Sequence, residues 1–255
     1  MINVVKIGGN VVDNPEALRR FICDFAKIEG KKILVHGGGK EASRLSEALG
    51  IKTTMIDGRR VTDGETIEVV TMVYAGLINK RIVSMLQNEG VDALGLCGAD
   101  GKALISVRRN PKPVDYGFVG DVDADSLNKS FVGELLDKGI TPVFCAITLG
   151  ADGALLNTNA DSVASAVATG MAKNADTELT YCFEKAGVLM NPDDDTSVIP
   201  HINAEEFERL KAAGIVSKGM IPKLTNAFKA LEKGVKAVTI KSADNVALNI
   251  GTRIE

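Results

Sequence analysis

Residues 2–9 read INVVKIGG and residues 32–39 read KILVHGGG. Each is a short run of mostly aliphatic and β-branched residues that stops on glycine. Neither alternates apolar with polar, so each reads as a strand buried on both faces, as in a parallel sheet. Between them, Asn14-Pro15 offers an N-cap and a first-turn proline, which opens a helix to about residue 29. Working outward, strands are expected near 92–96, 103–108, 141–147, 154–157, 178–183, 236–240 and 246–249. Helical patterns cover 40–49, 64–89, 124–138, 160–172, 203–212 and 221–233, and DYGFVGDV at 115–122 reads as part of a hairpin. Apolar strands alternating with helices define an α/β protein whose open, mainly parallel sheet is covered on both faces. Ligands in such sheets bind beyond the carboxyl ends of the strands.

Composition narrows the partners. A chain of 255 residues with 45% hydrophobic and 25% charged residues builds a sizeable core, in one large domain or two small ones. With aromatics at 4% and no Trp, that core is aliphatic. A net charge of −3 argues against nucleic acid, whose binders carry a basic balance. No apolar run approaches the ~18 residues that span a bilayer, and the opening MINVVKIGGN is not a signal peptide. Cys23, Cys97, Cys145 and Cys182 are scattered without CxxC spacing, so reduced, buried thiols are expected, with no zinc or disulfide framework. The expectation is a cytoplasmic enzyme with neither nucleic acid nor membrane as partner.

Five segments carry chemistry. In Lys6-Ile7-Gly8-Gly9, two glycines let backbone N–H groups approach an anion and a lysine adds full charge; the same residues also suit a plain turn with a solvated lysine. In His36-Gly37-Gly38-Gly39-Lys40, three glycines meet a helix N-terminus, an anion cradle. Gly37, Gly39 and Ala42 also satisfy the dinucleotide pattern G-x-G-x-x-A, with Asp57 and Asp63 about 20 residues on, which keeps a nicotinamide-dependent oxidoreductase open. Lys40 is followed by Glu41, so this is no Walker A loop, and His36 reads as structural rather than as a base. Arg59 and Arg60, before the long helix, suit a carboxylate, although either alone also suits the surface. In Asn157-Thr158-Asn159-Ala160-Asp161, Asn157 could hold a ligand and Asp161 orient lysines, while Asn159 or Asp161 could simply cap the next helix. Lys223, following Pro222 in a first helical turn, opposes the helix dipole unless an anion binds there.

Taken in order, KIGG at 6–9, HGGG at 36–39, DGRRVT at 57–62, GLCGADG at 95–101, GFVG at 117–120, NTNAD at 157–161 and GMIPK at 219–223 resemble the amino acid kinase family over essentially the whole chain. The RVT and GFVG markers point to the branch that phosphorylates the side-chain carboxylate of an N-acyl-L-glutamate. The resemblance implies a three-layer α/β/α sandwich. Its N-terminal lobe, about 1–150, would take the acylated amino acid, and its C-terminal lobe, about 151–255, ATP. Lys6 and Lys223 resemble the lysines that stabilise the phosphoryl group in flight, and Asp161 the carboxylate that organises them. Gly38, Gly39, Arg60 and Asn157 match the positions that hold the acylated amino acid. Gly8 and Gly9 would meet the nucleotide phosphates. Glu184, Lys185, Ala186, Gly187, Val188, Leu189, Ile215, Val216 and Ser217 would form the rest of the ATP side. Phe183-Glu184-Lys185 and Lys218 depart from the family pattern there.

The implied acceptor is N-acetyl-L-glutamate by default, in a step of arginine biosynthesis. N-succinyl-L-glutamate, or free glutamate as in glutamate 5-kinase, is the alternative. A catalytically silent ligand sensor is disfavoured by the joint presence of Lys6, Asp161 and Lys223. ATP would arrive with Mg²⁺ held mainly by its phosphates, without a protein metal cage. The family's arginine-inhibited hexamers carry a helix before the first strand. Here the first strand begins at about Ile2, so an arginine-insensitive homodimer is expected, with the 64–89 helix as its interface.

Overall fold

The computed structural model describes residues 1–191, 193–216 and 220–255. The strands are β1 (Ile2–Ile7), β2 (Lys31–His36), β3 (Thr54–Ile56), β4 (Arg59–Val61), β5 (Ala93–Leu96), β6 (Ile105–Arg108), β7 (Gly120–Asp121), β8 (Thr141–Phe144), β9 (Ile147–Gly150), β10 (Leu155–Asn157), β11 (Thr177–Phe183), β12 (His201–Ile202), β13 (Ala237–Ser242) and β14 (Thr252–Ile254). The helices are α1 (Gly9–Asp13), α2 (Pro15–Ala26), α3 (Gly39–Ala48), α4 (Gly64–Thr71), α5 (Asn79–Asn88), α6 (Lys129–Asp137), α7 (Ala160–Ala172), α8 (Ala204–Ala212) and α9 (Met220–Glu232). A π-helical segment, Met72–Ile78, joins α4 to α5 in one continuous rod.

The central sheet has the order β12-β14-β13-β11-β1-β2-β8-β5. Its neighbours run parallel except β13 and β14. Because successive side chains of a strand point to opposite faces, β1 feeds two cores. Val4 joins a cluster with α6, α7, α8 and α9, whereas Val5 joins another with α2 and the 64–88 rod. This is the expected α/β/α sandwich with a mainly parallel sheet. Smaller pieces, the sheet β10-β9-β6-β7 and the hairpin β3-β4, stand beside it.

Local chemistry explains the elements. Asn14 Oδ1 accepts from the N–H groups of Glu16 and Ala17 at 3.0 and 3.1 Å, capping α2 as its sequence suggests. That helix stops at Ala26, short of residue 29, because the buried Lys32 reaches over from β2. Its Nζ donates to the carbonyls of Phe25, Ala26 and Ile28.

Several expectations need correction. The run 141–147 is two strands, since at Cys145-Ala146 the chain leaves the central sheet and Ile147 begins the smaller one. The helix expected from 124 begins at Lys129. Asp123 Oδ1 holds the N–H groups of Asp125 and Ser126 in a turn, and Asn128 supplies the cap. Residues 246–249 are not a strand; the last one is Thr252–Ile254. Helix α1, the β3-β4 hairpin and the π-helical segment were not expected. Cys145 and Cys182 are buried free thiols as expected, but Cys23 and Cys97 are only partly covered. The rod Gly64–Asn88 is long and apolar enough by length and composition to cross a membrane, although Glu65, Glu68, Lys80 and Arg81 interrupt it, so no unbroken apolar run reaches bilayer length. It uses that surface inside the fold, burying Val69, Val70, Val73, Ile78, Ile82 and Leu86.

Where the chain passes from one sheet to the other, Gly98 lies against backbone. Its N–H donates to Ile147 O at 2.7 Å, and an added Cβ would lie 2.3 Å from Leu104 O and 2.6 Å from Leu149 N. Gly98→Ala therefore has to shift main chain rather than a side-chain tip. A loss of at least about 2 kcal/mol is expected in urea unfolding. A loss below about 0.5 kcal/mol, the range of an ordinary surface change, would contradict so close an approach.

Candidate active site

Three loops leave the central sheet at the carboxyl ends of its parallel middle strands: Gly8-Gly9 after β1, Gly37-Gly38 after β2 and Glu184-Lys185 after β11. The parallel registers Lys6↔Val35 and Lys6↔Tyr181 bring them level. Lys6 is 8% exposed, and its Nζ lies 2.7 Å from Asp161 Oδ1. Asp161 is in the first turn of α7 but does not cap it. Asn159 Oδ1 accepts from the N–H groups of Asp161 and Ser162, at 2.9 and 3.1 Å, leaving the Asp161 carboxylate for Lys6. Lys223, in the first turn of α9, completes the group. Burial pushes its ammonium pKa down, the Asp161 charge opposes that shift, and the Lys6 charge adds to it.

Around this group lie three cavities in series. The largest, about 410 Å³, is walled by Lys6, Gly8, Gly9, Asp161, Glu184, Lys185, Gly187 and Lys223. A second, about 250 Å³, shares Lys6 and Gly9 with it and adds Gly38, Gly39, Arg60 and Asn157. A third, about 200 Å³ and largely apolar, shares Lys185 and Gly187 with the first and adds Val188, Leu189, Ile215 and Val216. The residues singled out in the sequence thus come together, with two exceptions. Ala186 lines none of the three cavities. Ser217 lies outside the described residues, as does Lys218.

Arg60, on β4, is 7% exposed. Its guanidinium donates to Gly39 O and Ser43 Oγ, both at 2.8 Å, and to Thr53 Oγ1 at 3.2 Å. All three acceptors are neutral, and among the described residues Arg60 forms no ion pair. A nearly buried guanidinium without an acid keeps its full charge and can pair with a carboxylate. Asn157 Nδ2 donates to Thr62 Oγ1 at 3.1 Å, which ties the second cavity's wall to β4.

The expected 115–122 hairpin is formed by β6 and β7, and its connecting loop clips onto Thr62. Thr62 N–H donates to Tyr116 O at 2.9 Å, and Phe118 N–H donates to Thr62 O at 2.6 Å. Gly117 has φ of +73°, and a Cβ there would lie 2.2 Å from Thr62 O. Val119, next on this loop, reaches the second cavity.

Supporting residues were missed by the sequence reading. Tyr74 and Ile78, on the π-helical segment, press against Gly38, where a Cβ would meet Ile78 Cδ1 at 2.3 Å. Asn79 donates from Nδ2 to Val143 O at 2.9 Å and lies 3.0 Å from His36 Nε2. His36 is fully buried, and its Nδ1 lies 2.8 Å from Gly37 O. A carbonyl only accepts, so Nδ1 carries the proton and Nε2 accepts from Asn79. Burial lowers the imidazole pKa to about 4. His36 is therefore a neutral brace for the glycine loop, in line with its structural reading. Among the described residues, no group of three or more His, Cys, Asp or Glu could hold a metal ion.

The family model described as "Amino acid kinase family" matches residues 1–242. The chain belongs to the amino acid kinase family. It is 49% identical over 254 residues to the acetylglutamate kinase of Phocaeicola vulgatus, covering 100% of this chain and 98% of that protein. Solved structures with the same fold include an N-acetylglutamate synthase from Neisseria gonorrhoeae complexed with coenzyme A and N-acetyl-glutamate. The TM-score is 0.81 at 21% identity, over 99% of this chain and 59% of that one. A carbamate kinase from Giardia lamblia bound to AMP-PNP gives 0.70 at 16% identity, over 99% and 97% of the two chains.

The neutral state of His36 sets a pH dependence. Between its ordinary pKa of 6.5 and the folded value of about 4, the unfolded chain binds a proton that the native chain does not. Stability from this group is present above pH 6.5 and lost as pH falls toward 4, by at most about 1.4 kcal/mol per pH unit. Urea unfolding of His36→Gln should show a shallower acid decline than wild type over that window. Parallel declines would mean that His36 is not held neutral.

Proposed function

We propose that this chain transfers the γ-phosphoryl group of ATP to the side-chain carboxylate of N-acetyl-L-glutamate, forming an acyl phosphate in arginine biosynthesis. One observation carries this reading: Lys6 and Gly9 wall both the largest cavity and the one that holds Arg60. A donor in one and an acceptor in the other meet at a lysine. The sequence identity to the Phocaeicola vulgatus acetylglutamate kinase supports the choice of acceptor.

The residues divide the work between the two halves of the chain. Residues 1–150 supply most of the acceptor site, where Arg60 pairs with a carboxylate of the amino acid, with Gly38, Gly39 and Asn157 around it. Residues 151–255 supply most of the nucleotide site. Adenine lies in the apolar cavity of Val188, Leu189, Ile215 and Val216. The phosphates run past Glu184, Lys185 and Gly187 to Gly8 and Gly9. ATP arrives with Mg²⁺ carried mainly on its phosphates.

A glutamate side chain, with a pKa near ~4.3, is already ionised at neutral pH, so attack needs no general base. A carboxylate oxygen forms the new bond to the γ-phosphorus as the bridging P–O bond breaks, and that electron pair leaves on ADP. The barrier is charge repulsion between carboxylate and triphosphate. Lys6, Lys223 and the glycine N–H groups offset it where the equatorial oxygens gather charge. Asp161 holds Lys6 in place. The acetyl group keeps the substrate nitrogen from attacking the product. The 109–119 loop, through Val119, shields the acyl phosphate from water.

The chain acts as a cytoplasmic homodimer through the rod Gly64–Asn88. In support, Met72 and Leu77 on it are exposed at 54% and 43%. Light scattering at the mass of a dimer is expected; a monomer or hexamer would refute this assembly.

The direct test is acyl-phosphate formation trapped with hydroxylamine, from MgATP and N-acetylglutamate, N-succinylglutamate, glutamate or aspartate. N-acetylglutamate should react fastest. Preference for the succinyl compound or a free amino acid would overturn the acceptor, and no reaction would overturn the kinase reading. Lys6→Ala and Lys223→Ala should each lower kcat about a hundredfold or more, with little change in KM. Rates within severalfold of wild type would remove those lysines from the transition state. Arg60→Ala should raise KM for N-acetylglutamate and leave that for ATP unchanged; equal rises would count against its role.

A further inference from the structure

The proposed function uses the two lysines but leaves unexplained how two ammonium groups stay together in a partly desolvated site. Lys6 has Asp161 at 2.7 Å. Lys223 forms no ion pair among the described residues. Its burial and the nearby Lys6 charge both work against its ammonium form. What lies beneath it is an aromatic ring. Lys223 Nζ is 3.5 Å from the centre of the Phe183 ring, and Lys6 Nζ is 5.3 Å from the same centre.

We propose that Phe183 is a positioning residue of the phosphoryl-transfer centre, whose ring face holds Lys223 and Lys6 in place without cancelling their charge. The inference rests on the reading of those lysines given above. A ring face attracts a cation through its quadrupole, and the attraction grows when water is excluded. It carries no formal charge. Two lysines and one aspartate therefore leave one net positive charge facing the triphosphate. A second carboxylate in place of the ring would pin Lys223 equally well but remove that charge, and with it the field that stabilises the transition state.

The ring is itself held. Phe183 ends β11, paired in register with Ser242 of β13. It stacks on Tyr181 with centroids 6.2 Å apart and planes 15° from parallel. The Tyr181 hydroxyl donates to Asp161 O at 3.3 Å. On the phosphate side, a Cβ on Gly8 would touch Phe183 Cδ1 at 3.6 Å. Tyr181, Phe183 and Asp161 thus form one support on which both lysines rest.

The test separates the ring's electrostatics from its bulk. Phenylalanines carrying one, two or three ring fluorines, incorporated at position 183, weaken the quadrupole with little change of shape. With N-acetylglutamate and MgATP, kcat should fall stepwise with fluorine number while both KM values stay within about twofold; the whole span is about tenfold, of the size a partly desolvated cation–ring contact supplies. Phe183→Leu should lose at least as much, and Phe183→Tyr should retain the rate. Melting temperatures recorded alongside separate lost packing from lost rate. A flat fluorine series, with Lys6→Ala and Lys223→Ala still inactive, overturns the ring's role and leaves the lysine reading standing. Wild-type rates in the lysine variants would overturn that reading first.

Discussion

A lysine at the end of a buried parallel strand is the constraint around which this molecule is arranged. Lys6 is 8% exposed and occupies a β1 position between β2 and β11. A buried ammonium is costly unless paired, because the interior solvates it poorly. Asp161 meets that need at 2.7 Å, and only because Asn159 takes over the capping of α7. The same arrangement excludes a fully neutralised site. Asp161 is one carboxylate beside two lysines, so the group of three stays electropositive.

Close backbone approach is the second theme, and it links the rod to the glycine loops. The π-helical segment Met72–Ile78 brings Tyr74 and Ile78 against Gly38, while Asn79 reaches His36 at the end of β2. Through the His36 contact to Gly37 O, the long helix and the glycine loop form one unit. The rod is apolar because it packs along the sheet, and its Tyr74, Ile78 and Asn79 are spent on holding a loop. Gly117, with its positive φ against Thr62 O, plays a similar part for the hairpin that faces the cavity of Arg60 and Asn157.

Much of this was legible in the residues. The strands around Lys6 and His36 are continuous apolar runs, and buried parallel strands have little freedom to be anything else. Lys223 stood out because a lysine at a helix start breaks a local preference, and Lys6 because a charge ends a buried strand, while Asp161, Arg60 and the glycine pairs stood out through the ordered motifs that contain them. Residues that obey local rules while serving the site were invisible. Tyr74, Ile78 and Asn79 look like ordinary helix residues, and Phe183, though it departs from the family pattern, gives no sign in the sequence of lying against two lysines. The split at Cys145-Ala146 was hidden for a related reason, since two strands in different sheets can share one uninterrupted apolar run.

The sequence by itself determined most of the strand and helix order, the mainly parallel sheet, and the set of charged and glycine residues available to an anion. It could do so because hydrophobic period, caps and turns are short-range properties. Tertiary structure alone decided which charges are paired. It gives Asp161 to Lys6 and leaves Arg60 among neutral acceptors. It also sets Lys223 over the Phe183 ring. Those assignments depend on distances between residues up to 217 positions apart in the chain (Lys6 to Lys223), and no local pattern encodes a distance across a fold.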